Sequence, residues 1–344
     1  MHKKLLTLAV AGALAVPAVA FAQVTVYGTI DGGLRNQTKA DNGVGGTDSN
    51  LVVTDGLRTT NRIGFKGSED LGGGLMANFT MEGQHNSDDG ARAINTARKT
   101  IVGLSKGGMS VDIGRDYTVN FKTQGIYDPM SYTYTGITPA AGTNTAGVRF
   151  SNLVTAGFRF GTGGIRVDYS TFSGTTASQD GIPGDETGDA IGINGDFAFG
   201  PVTVGAAFSS VDANPAGATI ETTNIGAAYK MGPFTFRGGW SETDAEATNT
   251  QTPLIMFGVQ YAFSPTLNGR FGYYSLETET AGVTGQERKQ ILVALDYNLS
   301  KRTIAYVMYD RLDLNGGTVN LGGGQSGALS DGATGISVGI AHSF

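Results

Sequence analysis

Basic side chains recur at every fourth position in one stretch of the chain, as Arg58, Arg62 and Lys66. In an extended strand these positions share one face, whereas Ile63 and Phe65 point to the other. A row of cations that faces carboxylates across a narrow, water-filled gap orders the water and selects ions by charge. The pattern predicts electrostatic selection of ions, although the same cations could simply be solvated on a wall or paired with Asp and Glu.

Residues for bond-making chemistry are scarce. The sequence holds three histidines, His2, His85 and His342, and no nucleophile motif accompanies them. The same scarcity leaves a zinc site without ligands. Residues 322–327 fit the glycine spacing of a dinucleotide-binding loop but lack its strand-turn-helix context. We therefore predict that the protein is not an enzyme and has no catalytic residue, no metal site and no cofactor.

A second group of candidate residues lies in the stretch from 117 to 146, the longest without a strand pattern. It is rich in aromatic residues, namely Tyr117, Phe121, Tyr127, Tyr132 and Tyr134. We predict that this stretch folds inward and packs on a wall, and an external flap is the alternative. A further alternative is a substrate-specific channel, in which Tyr127, Tyr132 and Tyr134 provide a saturable binding site for one solute.

The elements that must position these groups are β-strands. The last ten residues place Ile336, Val338, Ile340 and Phe344 on one face and small or polar residues on the other. Apolar-out and polar-in alternation is typical of a strand between lipid and a watery lumen, and about sixteen segments of roughly ten residues show it. The sequence predicts an all-β fold, a 16-stranded antiparallel transmembrane β-barrel. A soluble or surface-displayed β-protein acting as an adhesin is the alternative.

Tight turns and long polar stretches alternate between these segments. Turns such as 107–108, 200–201 and 232–233 contrast with stretches such as 36–56 and 315–332. This asymmetry predicts short periplasmic turns and long external loops. A barrel of sixteen strands would be about 30 Å wide, and the stretch 117–146 is long enough to reach across it. We therefore expect this stretch to narrow the lumen.

The N-terminus has the features of a secretory signal peptide. Lys3 and Lys4 precede an apolar stretch, and Ala20-Phe21-Ala22 provides a cleavage site. We predict a cleaved signal peptide at 1–22 and a single barrel at 23–344. Without Lys3 and Lys4, 22 basic residues stand against 30 acidic ones, and the charge of −8 argues against a nucleic-acid partner.

Three segments resemble general outer-membrane porins of the betaproteobacterial type, and the similarity extends over nearly the whole mature chain. These segments are QVTVYGTID at 23–31, RIGFKGSEDLGGGL at 62–75 and VDIGR at 111–115. The resemblance implies a homotrimer in the outer membrane of a Gram-negative bacterium, with passive diffusion of ions and small hydrophilic solutes through each barrel. It also implies that the third loop, about 117–146, folds into the pore opposite a ladder of arginines.

The resemblance assigns roles to individual residues. The wall arginines of the family correspond to Arg62, Arg98 and Arg149, and an acidic position on the third loop corresponds to Asp128. Where many relatives carry Glu-Phe-Gly after the following proline, this chain has Met-Ser-Tyr at 130–132. The family's barrel-assembly machinery binds the terminal residue, here Phe344.

The remaining expectations concern partners and charge. Outer-membrane lipid surrounds such a barrel, and acidic loop residues could contact lipopolysaccharide or divalent cations, or simply be solvated. The net charge favours cations at the mouth, whereas the basic row favours anions at the constriction. Because charges act most strongly within a Debye length of about 8–10 Å, we expect a preference for anions.

Overall fold

The computed structural model of the chain describes residues 24–41, 47–87, 95–134, 147–171, 189–212, 218–316 and 332–344. The signal peptide predicted at 1–22 and the end of the third loop at 135–146 lie outside the described residues. Within those ranges the protein consists of seventeen strand segments, one α-helix and one short 3₁₀ helix. No helix in the described part of the chain is long and apolar enough to cross a bilayer.

The strand segments follow one another along the chain and are joined mostly by turns and loops. They are β1 (Thr25–Asp41), β2 (Thr47–Asp55), β3 (Arg62–Gly72), β4 (Leu75–Gln84), β5 (Asn95–Lys106), β6 (Met109–Tyr117), β7 (Arg149–Phe160), β8 (Gly163–Ser170), β9 (Ala190–Phe199), β10 (Val202–Asp212), β11 (Thr219–Met231), β12 (Phe234–Ala245), β13 (Thr250–Ala262), β14 (Leu267–Thr280), β15 (Val283–Asn298), β16 (Thr303–Asn315) and β17 (Gly332–Ser343). Helix α1 (Val119–Tyr127) follows β6, and the 3₁₀ helix (Glu246–Thr248) follows β12.

The strands form one closed antiparallel sheet. Each strand from β3 to β17 pairs with its neighbours in chain order, and β17 pairs back onto β1. Both β2 and β3 pair with β1, β2 at residues 32–41 and β3 at residues 25–29. They are the two halves of one barrel strand, interrupted at 56–61, where Gly56 has a φ of +64°. The predicted 16-stranded antiparallel barrel is thereby confirmed.

Side chains alternate between the two faces of the sheet as the sequence pattern predicts. On β17, Ile336, Val338 and Ile340 are about half exposed on the outer face, while Ser337 is buried on the inner face. Similar alternation extends along β15 and β16, and large apolar side chains are exposed on strands all around the barrel. The outer surface therefore carries a continuous apolar belt, which matches the hydrocarbon core of a membrane.

The two rims of the barrel differ. One rim carries tight turns, including Gly107–Gly108, Gly200–Pro201 and Gly232–Pro233, together with the end of the chain at Phe344. The opposite rim carries the longer connections, although the one between β14 and β15 is only two residues long. The loop between β6 and β7, called loop 3 here, turns into the lumen. The predicted inward fold of this loop is confirmed.

An apolar cluster fills one side of the lumen where loop 3 meets the wall. The loop contributes Tyr127, Met130 and Tyr134, all fully buried. The wall contributes side chains from β13 to β17, among them Leu254, Met256, Tyr274, Leu292 and Met308. Loop 3 thus packs on this wall as tightly as side chains pack in a protein core. The open part of the lumen therefore lies on the other side of the barrel.

Candidate functional site

A row of charged side chains crosses the inner face of the barrel from β3 to β7. Arg62 Nε lies 4.0 Å from Glu82 Oε2, and Arg98 Nε donates a hydrogen bond of 2.6 Å to Glu82 Oε1. Arg98 Nη2 and Arg149 Nη2 each donate a hydrogen bond of 2.7 Å to the Tyr117 hydroxyl oxygen. We call this set the arginine row. It brings together the three arginines to which the resemblance assigns a wall position.

Cations outnumber anions in the arginine row. It contains three guanidinium groups and one carboxylate, Glu82, which also accepts a hydrogen bond of 3.1 Å from the Tyr27 hydroxyl. The Arg62 side chain is 32% exposed, so its charge faces the lumen directly. A surplus of positive charge beside a narrow aqueous space attracts anions and repels cations.

Aromatic stacking connects the arginine row to loop 3. The Arg149 guanidinium lies 4.2 Å from the centroid of the Tyr117 ring. Tyr117 stacks on Phe121 at 4.7 Å, and Phe121 stacks on Tyr132 at 4.2 Å. Cation–π and stacked contacts of this kind have preferred geometries and stabilise a fixed arrangement. The stack therefore fixes the position of the loop relative to the arginines.

Helix α1 forms the beginning of loop 3 and is capped at its N-terminus. The Thr118 hydroxyl accepts a hydrogen bond of 3.2 Å from the backbone N–H of Phe121, as an N-cap residue does. The backbone N–H of Val119 donates to Asp168 Oδ2 on β8 at 2.8 Å. These contacts place the start of the helix directly against the barrel wall.

Six glycines on β9 to β14 make room for loop 3, and we call them the glycine track. They are Gly192, Gly205, Gly226, Gly239, Gly258 and Gly272. A Cβ atom at Gly226 would lie 2.2 Å from Tyr127 Cγ, and one at Gly239 would lie 2.3 Å from Tyr127 Cδ2. A Cβ at Gly258 would lie 2.7 Å from Pro129 Cβ. Because real side chains do not approach so closely, the loop can lie on this wall only where side chains are missing.

Asp128 lies at the turn that follows α1 and is almost fully buried. Its Oδ1 accepts a hydrogen bond of 2.7 Å from the Tyr274 hydroxyl, and its Oδ2 accepts one of 2.7 Å from the backbone N–H of Tyr132. Burial raises the pKa of Asp128 to about 6, although both hydrogen bonds oppose the shift. The carboxyl group thus faces the β14 wall and does not contact the arginine row.

The turn after Asp128 has an unusual backbone. Ser131, Tyr132 and Tyr134 have φ angles of 54°, 54° and 61°, in the left-handed region that non-glycine residues rarely adopt. Such conformations cost on the order of 1–3 kcal/mol each and persist only where surrounding contacts hold them. The Tyr132 stack and the burial of Tyr134 provide those contacts.

Arg58 lies in the interruption between β2 and β3 and contacts a different acid. Its Nε and Nη2 donate to the two carboxylate oxygens of Asp296 on β15, at 3.0 and 2.9 Å. Its carbonyl oxygen accepts a hydrogen bond of 2.9 Å from the backbone N–H of Tyr134. Arg58 therefore holds loop 3 at Tyr134 and is not adjacent to Arg62 in the arginine row.

Lys66 and Phe344 are not members of the arginine row, although Lys66 is next to it through Tyr27, whose hydroxyl donates to Glu82. Lys66 is on β3, nearer the rim of tight turns, with Nζ 5.3 Å from the centroid of the Tyr27 ring. Phe344 closes the barrel, since its backbone N–H and C=O pair with those of Gly28 at 3.1 and 3.2 Å. These two hydrogen bonds fix the terminal residue at the seam between β17 and β1.

Sequence reasoning missed two parts of this site. Nothing in the sequence singles out Glu82 as the carboxylate of the arginine row, because its position depends on a register shift between β4 and β5. The glycine track leaves a clearer signal, since Gly205, Gly226 and Gly239 are directly paired across three strands. That signal becomes visible only once the register is known.

Comparisons with known proteins agree with this architecture. Residues 7–317 match the family described as Gram-negative porin. The chain is 35% identical over 164 residues to outer membrane porin protein 32 of Delftia acidovorans, covering 45% of each protein. It is 36% identical over 115 residues to major outer membrane protein P.IB of Neisseria meningitidis serogroup B, covering 33% of this chain and 34% of the relative. These matches thus span less than half the length of the curated relatives.

Similarity to a solved structure extends over almost the whole chain. An anion-selective porin from Comamonas acidovorans superposes with a TM-score of 0.79 at 25% identity, covering 94% of this chain and 100% of that one. The closed barrel, the inward loop 3 and the family match therefore lead to one conclusion. The resemblance seen in the sequence is confirmed, and this chain belongs to the Gram-negative porin family.

Proposed function

We propose that this protein forms a water-filled channel in the outer membrane for passive diffusion of ions and small hydrophilic solutes, with a preference for anions. The observation that carries the proposal is the arginine row facing loop 3 inside a closed barrel. In a ring of sixteen strands β5 lies opposite β13, so Arg98 on β5 faces the wall where Pro129 packs. Solutes must pass between these two walls.

The preference for anions follows from local charge. Three guanidinium groups and one carboxylate leave the arginine row net positive, and the carboxyl of Asp128 is buried on the other wall. Opposite charges about 4 Å apart attract by roughly 1 kcal/mol even in bulk water. The anion selectivity named for the Comamonas acidovorans porin supports the same direction.

The aromatic residues of loop 3 fit a structural role better than a solute-binding track. The rings of Tyr117, Phe121 and Tyr132 cover one another's faces, and Tyr127 is buried against the glycine track. A sugar-binding track needs ring faces open to the lumen. Flux that depends on solute size, without saturation by one solute, would agree with a general channel.

The remaining parts of the proposal concern assembly and export. We propose that residues 1–22 are removed on export, that residues 23–344 form the barrel and that three barrels associate in the membrane. The terminal Phe344 is proposed as the assembly signal, and lipopolysaccharide as a neighbour of the apolar belt. No bond-making step is part of this function.

The test is single-channel recording of the detergent-extracted protein in a planar bilayer, with a KCl gradient to give the reversal potential. We expect stepwise insertions, closure in three equal sub-steps and a reversal potential that favours chloride. Arg62→Gln and Arg98→Gln should each shift the reversal potential towards potassium, whereas Arg311→Gln on the exposed outer face should not. Folded protein that carries no current would overturn the channel, and unchanged selectivity in both variants would remove the arginine row from the constriction.

A further inference from the structure

A second group of cations lies on the lumen wall beneath loop 3, on the side of the tight turns. The register pairs Lys230 on β11 with Thr235, Thr235 with Gln260 on β13, and Gln260 with Arg270 on β14. Arg237 lies on β12, two residues beyond Thr235 and on the same face. These side chains project from four adjacent strands on the wall that also carries the later part of loop 3.

Contacts with loop 3 show which way this group faces. Gln260 Nε2 donates a hydrogen bond of 2.7 Å to Ser131 Oγ, and Arg270 Nη1 donates one of 3.0 Å to the carbonyl oxygen of Met130. Lys230, Thr235, Gln260, Asn268 and Arg270 line a cavity of about 310 Å³ near the tight-turn rim. The cavity is thus bounded by two cations and two amide groups below the loop, and Arg237 lies beside it, one inward-facing position further along β12.

Two of these cations, Lys230 and Arg237, form no ion pair with a described residue, and the Asp128 carboxylate acts on Arg237 and Arg270 only through space. The Nε and Nη1 atoms of Arg237 are buried and have no hydrogen-bond partner in the described part of the chain. Lys230 forms no ion pair with any described residue. Arg270 contacts Asp296 at 3.1 Å, but that carboxylate also pairs with Arg58. Buried donors without acceptors are costly, so this wall is suited to a ligand that supplies oxygen acceptors and negative charge.

We propose that Lys230, Arg237 and Arg270, with Gln260, form an anion-binding station on the tight-turn side of loop 3 that holds a small oxyanion such as inorganic phosphate. Diagonal positions on neighbouring strands are about 7–8 Å apart, so long side chains at Lys230 and Arg237 can reach one tetrahedral anion. Guanidinium groups bind such oxygens in pairs. The station rests on the proposed channel function. It adds a second binding site for anions that have passed the arginine row.

Two stations in series would affect conduction in a recognisable way. A divalent oxyanion held below loop 3 occupies the path of chloride and lowers the chloride current. Conduction through such a site requires binding that is strong enough to hold the ion and weak enough to release it. The station therefore predicts that phosphate inhibits chloride current in a saturable manner.

The experiment measures chloride current through the full-length channel while inorganic phosphate at pH 8 is added to both sides. We expect saturable inhibition of wild type, and the half-inhibitory phosphate concentration should rise about tenfold in the Lys230→Gln/Arg237→Gln variant, which is a loss of about 1.4 kcal/mol. Arg237→Lys keeps the charge but loses the paired donors, so its half-inhibitory concentration should lie between those of wild type and the double variant. Arg311→Gln, on the outer face, is the matched control and should not change the inhibition.

The outcomes separate the station from the channel itself. Absence of any current in KCl would contradict the proposed channel. Normal current in KCl with no inhibition by phosphate, or with equal inhibition of wild type and the double variant, would overturn the station. Phosphate inhibition that is weaker in Arg62→Gln but the same as wild type in the double variant would place the anion at the arginine row. That result would also overturn the station.

Discussion

Glu82 both organises and weakens the arginine row. It accepts hydrogen bonds from Arg98 and Tyr27 and lies near Arg62, so it keeps two guanidinium groups close together that would otherwise repel. At the same time it removes one unit of positive charge from the constriction. The selectivity of the channel should therefore depend on this single carboxylate as much as on the arginines.

Replacing Glu82 by Gln should increase the preference for anions. The amide keeps the size and hydrogen-bonding capacity of the side chain but removes its charge, so the ratio of chloride to potassium permeability should rise about threefold. Reversal potentials in a KCl gradient measure this ratio. Asp313→Asn, an exposed carboxylate on the outer face of β16, is the control and should leave the ratio unchanged. An unchanged ratio for Glu82→Gln would mean that permeating ions do not sense its charge.

The arginines show how far sequence reasoning reaches at this scale. The resemblance assigns Arg62, Arg98 and Arg149 to the wall, and the structure brings them into one row. The period of two predicts that Arg58 lies beside Arg62, but this period holds only while a strand continues. Because the strand is interrupted at 56–61, the Arg58 side chain points elsewhere and donates hydrogen bonds to Asp296. Their role in the constriction stays a prediction until selectivity is measured.

At the scale of elements, loop 3 and the glycine track are complementary parts. Strands could be predicted from alternation alone, because each strand carries its own pattern of lumen and lipid faces. The glycine track could not, because it exists only across strands whose register is known. The inward fold of loop 3 follows from both its aromatic residues and the space that these glycines leave.

Adding one methyl group to the glycine track should disturb loop 3. In Gly226→Ala the new Cβ would overlap the Tyr127 ring, which is also in contact with Gly239, so the loop must move into the lumen. Overpacking of this kind typically costs about 1–3 kcal/mol. We expect a lower single-channel conductance and greater open-channel noise in planar bilayers.

Gly195→Ala is the matched control for this change. Gly195 is a strand glycine on the outer face, where a Cβ would meet no atom closer than 3.9 Å. This variant should conduct as wild type does. Wild-type conductance in Gly226→Ala as well would show that loop 3 is not held tightly against the wall.

Asp128 makes the docking of loop 3 dependent on pH. Its pKa rises from 3.8 to about 6 through burial, so the docked loop binds a proton more readily than the free loop does. Stability from this group is fully present below about pH 4 and is lost as the pH rises through 6. The difference at pH 8 is on the order of 3 kcal/mol.

Channel noise should therefore increase between pH 5 and pH 8, because ionised Asp128 favours undocking of the loop. Arg237 and Arg270 offset part of this effect, and the Tyr274 hydroxyl and the Tyr132 N–H hydrogen-bond the carboxyl group. Asp128→Asn cannot ionise and should show low noise at both pH values. A variant that retained the full pH dependence would assign it to another group.

For the whole molecule, the seam between the ends of the chain decides whether the barrel closes. At this seam β1 pairs with β17, and Phe344 pairs with Gly28. Arg35 on β1 donates to both carboxylate oxygens of Asp310 on β16, at 2.5 and 2.8 Å, and to Ser337 on the intervening β17 at 3.1 Å. One buried arginine thereby joins three consecutive strands across the seam.

Breaking this ion pair should weaken the whole barrel. Both side chains are fully buried, so Arg35→Ala leaves the Asp310 carboxylate without its counterion inside the protein, at a cost of about 3–5 kcal/mol. We expect a lower urea midpoint for unfolding in detergent and a lower temperature for loss of the folded band on electrophoresis.

Arg35→Met/Asp310→Leu replaces the pair by apolar groups and should recover most of the lost stability. Arg311→Ala, which breaks an exposed ion pair with Asp313 on the same strand, should have no measurable effect, because exposed pairs contribute little. If Arg35→Ala were as stable as Arg311→Ala, the backbone pairing of β1 with β17 would be sufficient to close the barrel without the ion pair.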